Sequence, residues 1–212
     1  MYYHKEKKVV YHAHMKVASR DTRDALQRRG FLQAYGHHGG PHGGRSVEAR
    51  DRLEAWAGHV TWWFDQDPGD FTFYGTVRNH FDIVLTFLHW GVDGMNAITH
   101  ECLAKFMWGR TSHFHNGHRL FRGLSEIPDM RIIRYESLRL DVSDMLYAHG
   151  LPPLEDGELA NDGRFATVGK PREDYRTIYT PEERLVVEER YAGEMAQLGY
   201  SWDGLTIPRP TW

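Results

Sequence analysis

Two cationic residues, Lys16 and Arg78, stand where short apolar runs give way to helical ones. Val9, Val10, Tyr11, Ala13 and Met15 read as a strand covered on both faces. The chain then turns through Lys16, Val17, Ala18 and Ser19 into the helical segment TRDALQRRGF. A strand that feeds a small-residue turn and then a helix outlines an anion site. The turn amides and the helix N-terminus point at the ligand, and a lysine adds a mobile charge. A second run, FTFYGTV at residues 71–77, ends at Arg78, and Asn79 and the helical HFDIVLTFLHW follow. Ligands of open α/β sheets bind at the carboxyl ends of strands. Lys16 and Arg78 could therefore hold two separated anionic groups of one ligand. Ordinary surface charge at strand ends is the competing account. The turn is not the phosphate loop of kinases and GTPases, because here the lysine precedes the small residues instead of opening the helix.

The elements that must position these residues follow from pattern. Residues 1–8 read as a polar lead-in. Ser19 or Asp21 can cap the first helix, which ends near Gly30. The glycine- and histidine-rich YGHHGGPHGGR, residues 35–45, reads as a loop. Leu53, Trp56, Val60 and Trp63 recur at helical spacing, as do Met95, Ile98, Cys102 and Phe106. MRIIRY, residues 130–135, reads as a third strand. Asp141 can cap the helix VSDMLYAH, which Gly150 stops. Thr180, Pro181 and Glu183 form a capping box with proline at the first helical position. That helix runs to Gly199, and the tail SWDGLTIPRPTW reads as irregular. Strand-like runs that each lead into a helix predict an α/β protein, with a parallel β-sheet flanked by helices. No linker separates two domains, so residues 1–212 read as one.

Composition narrows the classes. The net charge of -3 gives no basic field for a nucleic-acid partner. The single cysteine, Cys102, excludes an internal disulfide and a cysteine-only metal site. HFHNGH, with His113, His115 and His118, could hold a transition metal, but its spacing fits no strong signature; no metal is expected. No stretch reaches the roughly 18 apolar residues of a membrane span, and the first residues lack the apolar core of a signal peptide. A cytoplasmic protein with no membrane partner is the expectation.

Four segments, in order, resemble the PAPS-dependent sulfotransferases, closest in style to the carbohydrate (Golgi-type) members of that P-loop-like superfamily. MKVASRDT resembles the 5′-phosphosulfate loop, with Lys16 as its lysine. VRNHFDIVLTF resembles the 3′-phosphate element: Arg78, Phe81 and Asp82 match, and Thr86 supplies a hydroxyl at the serine position. IIRYESL with HGLPPL resembles the segment that closes the sheet, and KPREDYRTIYTPEERLVVEERYAGEMAQLGYSWDG resembles the C-terminal ending.

The resemblance implies a sulfotransferase fold and transfer of a sulfuryl group from PAPS, 3′-phosphoadenosine 5′-phosphosulfate, to an acceptor hydroxyl, leaving PAP. The acceptor would be a small molecule or a saccharide. Lys16 would stabilise the leaving phosphate as charge builds on the bridging oxygen. Val17, Ala18, Ser19 and Arg20 would hold the 5′-phosphate, and Arg78 and Thr86 the 3′-phosphate, the arginine with two parallel hydrogen bonds. The base that activates the acceptor would come from His37 or His38, which lie between the two donor motifs. Arg20 replaces the family's usual threonine, Ala18 and Ser19 its glycines, and His80 its proline. Two alternatives remain open: a diverged nucleotide-binding protein without catalysis, and a nucleotide-dependent kinase.

Overall fold

The computed structural model describes residues 1–12, 19–33, 67–91, 130–159 and 174–206. In chain order its elements are β1 (Tyr2–His4), β2 (Val9–His12), α1 (Ser19–Gln27), β3 (Leu32–Gln33), β4 (Thr72–Val77) and α2 (His80–Gly91). There follow β5 (Arg131–Arg134), α3 (Leu138–Ala148), α4 (Pro181–Leu198), β6 (Tyr200–Ser201) and β7 (Gly204–Leu205). The helical segments expected around Leu53–Trp63 and Met95–Phe106 lie outside the described residues. The chain divides into two compact units, one of Met1–Val77, Phe121–Gly163 and Trp212, the other of Arg78–Leu120 and Arg164–Thr211.

The first unit is built on a five-stranded sheet in the order β3-β1-β2-β4-β5. β2 pairs in parallel with β4, and β4 with β5. β1 runs antiparallel to both β2 and β3. The sheet is therefore mixed, where the sequence reading expected a parallel one. The difference arises at the N-terminus. Residues 1–8 are no lead-in: Tyr2 and Tyr3 are buried strand residues, and the chain reverses over Lys5–Lys8 with Lys8 at φ 54°. A lysine-rich turn of this kind carries none of the glycine, asparagine or proline signals that announce a hairpin.

Period-two alternation sorts the strand residues by face. Val9, Tyr11, Tyr74 and Ile133 share one face and join a single apolar cluster with Ala25 and Leu26 of α1 and Leu138, Val142, Met145 and Leu146 of α3. Val10 and Val77, on the other face, are also fully buried. Burial on both faces explains why β2 reads as a continuous apolar run. α1 ends where Gly30 adopts φ 84° and the Phe31 amide returns to the Leu26 carbonyl at 3.2 Å. A Cβ at Gly30 would lie 3.2 Å from the His4 ring, so the turn is both left-handed and tight.

Asp141 does not cap α3. The helix begins earlier, at Leu138, after Ser137, whose side chain makes no cap bond. Asp141 is buried and accepts instead from the Arg134 amide at 2.8 Å, tying the helix to the end of β5.

In the second unit, α4 has the expected start. The Thr180 hydroxyl accepts from the Glu183 amide and the Glu183 carboxylate from the Thr180 amide, with Pro181 at the first helical position. Gly199 closes the helix at φ 73°. Beyond it, Tyr200–Ser201 and Gly204–Leu205 pair as the β6–β7 hairpin, where the sequence predicted an irregular tail. His80 of α2 is fully buried and bonds Glu194 of α4 at 3.0 Å. No described helix is long and apolar enough to cross a membrane.

Candidate functional site

β2, α1 and the residues that connect them belong to the first unit. β2 is an interior strand, flanked by β1 and β4. Its carboxyl end leads through residues 13–18 into α1, which opens at Ser19 and Arg20. A buried hydroxyl fixes where that helix starts. Tyr11 bonds Thr76 of β4 at 2.5 Å and also the Thr22 side chain in the first turn of α1. Both threonines are fully buried. Burial pushes the Tyr11 phenol up to about 12, although both threonine bonds favour the anion. The first turn of α1 is thus pinned at the carboxyl half of β2 and β4, where an α/β sheet presents its ligands. Lys16, Val17 and Ala18 fall within this connection but lie outside the described residues, as do His37 and His38. Ser19 and Arg20 are placed by their backbone as the first two residues of α1.

Arg78 and Thr86 belong to the second unit, and there they meet at Asp82. Arg78 is 1% exposed; its Nε donates to the Asp82 carboxylate four residues on, and its Nη2 forms an ion pair with the same oxygen. The Thr86 hydroxyl donates to the Asp82 carbonyl at 2.8 Å, a bond internal to α2. Beside them, Asn79 caps α2 by accepting from the Phe81 amide at 3.0 Å, and its amide donates to the Ser201 carbonyl at 3.1 Å. The spacing that suggested a 3′-phosphate holder therefore forms a braced helix N-terminus. A phosphate approaching Arg78 would have to compete with a carboxylate already paired with it.

A polar chain in the first unit escaped the sequence reading. Arg131 Nη1 donates to the Tyr74 hydroxyl at 3.0 Å, and that hydroxyl lies 3.0 Å from His149 Nε2. The His149 ring also bonds the Lys7 backbone. Burial, then the Arg131 charge, lowers the His149 pKa below its ordinary value. Burial raises the Tyr74 phenol. A neutral imidazole that accepts the Tyr74 proton and donates to the Lys7 carbonyl satisfies every member. These residues are scattered in sequence, and no local spacing announces them. Only the pairing of β4 with β5 and the docking of α3 brings them together.

No family model matches the chain, and neither a curated protein nor a solved structure is similar to it. That finding overturns the description of the chain as a P-loop-like, PAPS-using protein of carbohydrate sulfation, and the mixed sheet meets the expected α/β pattern only in part. Among the described residues, no group of three or more His, Cys, Asp or Glu side chains could hold a metal ion. His113, His115 and His118 lie outside them.

Proposed function

We propose that this chain is a diverged nucleotide-binding α/β protein, which takes the 5′-phosphate of its ligand where β2 leads into α1. The observation that carries this reading is the Tyr11 anchor. By bonding Thr22 and Thr76, it holds the first turn of α1 at the carboxyl end of an interior strand. Amides at such a helix start favour an anion, and the sequence adds Lys16 in the connection. Arg78, buried against Asp82, favours binding without the 3′-phosphate clamp.

Calorimetric titration with 5′-ADP and 3′,5′-ADP, on the wild type and on Lys16→Ala, tests the reading. The wild type is expected to bind at least one nucleotide. Lys16→Ala is expected to weaken it about tenfold or more, the effect of losing a charge-assisted contact. Equal affinities would describe a generic phosphate site. A clear preference for the 3′-phosphorylated nucleotide would reopen sulfuryl transfer at the same place. Absence of binding to folded wild type, or full binding by Lys16→Ala, would overturn the reading.

A further inference from the structure

The second unit carries a pocket of about 310 Å³ beside the start of α4, at the lower end of the range of about 300–1,000 Å³ in which small-molecule sites fall. Trp202 forms part of its wall, with Tyr179, Pro181 and Leu185 completing the apolar surface. The indole is held by edge contacts to Phe81, Tyr175 and Tyr179, with ring centroids 4.8, 5.4 and 6.0 Å away. The Tyr175 hydroxyl also donates to the Trp202 carbonyl at 2.6 Å. These contacts position the wall without any ligand, which lowers the ordering cost of binding.

The charged groups of the pocket, Arg184 and Glu188, form one pair. The Arg184 guanidinium lies over the Trp202 ring, 4.8 Å from its centroid, and its Nε donates to Glu188 Oε1 at 2.8 Å. The ring contact and the Nε bond together restrain the fork. Nη1 and Nη2 make no hydrogen bond among the described residues, and neither does Glu188 Oε2. Both side chains remain accessible, at 40% and 29% exposure. Leu185, one residue on from Arg184, is 56% exposed. The charged pair thus offers two donor nitrogens and one acceptor oxygen beside an apolar wall, and the two charges cancel.

We propose that this pocket binds a free α-amino acid with an apolar side chain. The ligand carboxylate accepts from the two terminal nitrogens of Arg184, the geometry in which an arginine fork is most selective. The ligand ammonium donates to Glu188 Oε2. The side chain lies against Trp202, Pro181 and Leu185. A zwitterion is the species that meets both charges without leaving either unpaired; a simple carboxylate would face Glu188, and a simple amine Arg184. This site is independent of the nucleotide reading.

The test is calorimetric titration of the intact chain with L-leucine, N-acetyl-L-leucine and L-leucinamide. L-leucine is expected to bind, and either blocked analogue to bind about tenfold or more weakly, because each strips one charge-assisted contact. Arg184→Gln should remove the preference over the amide, and Glu188→Gln the preference over the acetyl derivative. Both positions are partly exposed, and thermal melts check that the variants fold. The analogue comparison on the wild type decides the matter even if they do not. Failure of L-leucine to bind, or equal binding of L-leucine and its acetyl derivative, overturns the proposal.

Discussion

Arg78 shows how a residue chosen for its chemistry can serve structure. Its guanidinium is buried, and both donors that face Asp82 are used. Removing one partner from a buried pair leaves the other charge uncompensated, which costs about 3–5 kcal/mol. Arg78→Ala is therefore expected to destabilise the protein by about that amount in urea denaturation followed by circular dichroism. Loss of nucleotide binding in this variant would then report unfolding as much as a lost contact. Lys16→Ala is the informative substitution for binding. A change under about 1 kcal/mol in Arg78→Ala would show that the Asp82 pair is dispensable and would return Arg78 to the ligand.

At the scale of elements, the helix that the sequence announces most clearly is also the one whose start can be tested most simply. Thr180 and Glu183 exchange two backbone bonds at the head of α4. Thr180→Ala removes the side-chain acceptor and should cost about 1 kcal/mol of stability, measured as a lower denaturation midpoint at unchanged slope. Thr180→Ser should keep nearly all of it. The capping box, Pro181 and Gly199 are local signals, and local signals were legible. β4 and β5 were legible for a similar reason, as apolar runs bounded by breakers. The β1 hairpin was not, because Lys5–Lys8 carries no turn chemistry and the burial of Tyr2 is set by distant partners. Asp141 misled for a related reason: an acidic residue near a helix start reads as a cap, and only the fold reveals that it serves the Arg134 amide. In the candidate site, Lys16 was visible as a type at a turn. The Tyr11–Thr22–Thr76 anchor was not, since it joins three elements through side chains that a sequence pattern treats as ordinary core.

For the molecule as a whole, the shifted groups of the first unit give stability a stepped dependence on acid. His149 has its folded pKa below the usual 6.5, through burial first and then the Arg131 charge. The native state therefore binds fewer protons there than the unfolded chain. Its contribution is complete above 6.5 and is lost as pH falls from 6.5 towards the folded value. His4, also lowered by burial, acts in the same direction. Glu158 forms a second step. Hydrogen bonds from Arg29 above all, with further ones from the Glu155 amide and Arg28, bring its carboxyl down from 4.5 to about 2. Its contribution is present above 4.5 and is lost between 4.5 and about 2. Each group limits the slope to about 1.4 kcal/mol per pH unit. Urea denaturation at pH values spanning both steps should show stability falling in two stages on acidification. His149→Gln should flatten the upper stage, leaving the share of His4, and should keep the lower one. Glu158→Gln should do the reverse, at an overall cost on the order of 2 kcal/mol from its charged bonds. An upper stage unchanged by His149→Gln would mean that the Tyr74–His149 chain does not hold the imidazole neutral. The polar network would then be a packing feature without linkage to protons.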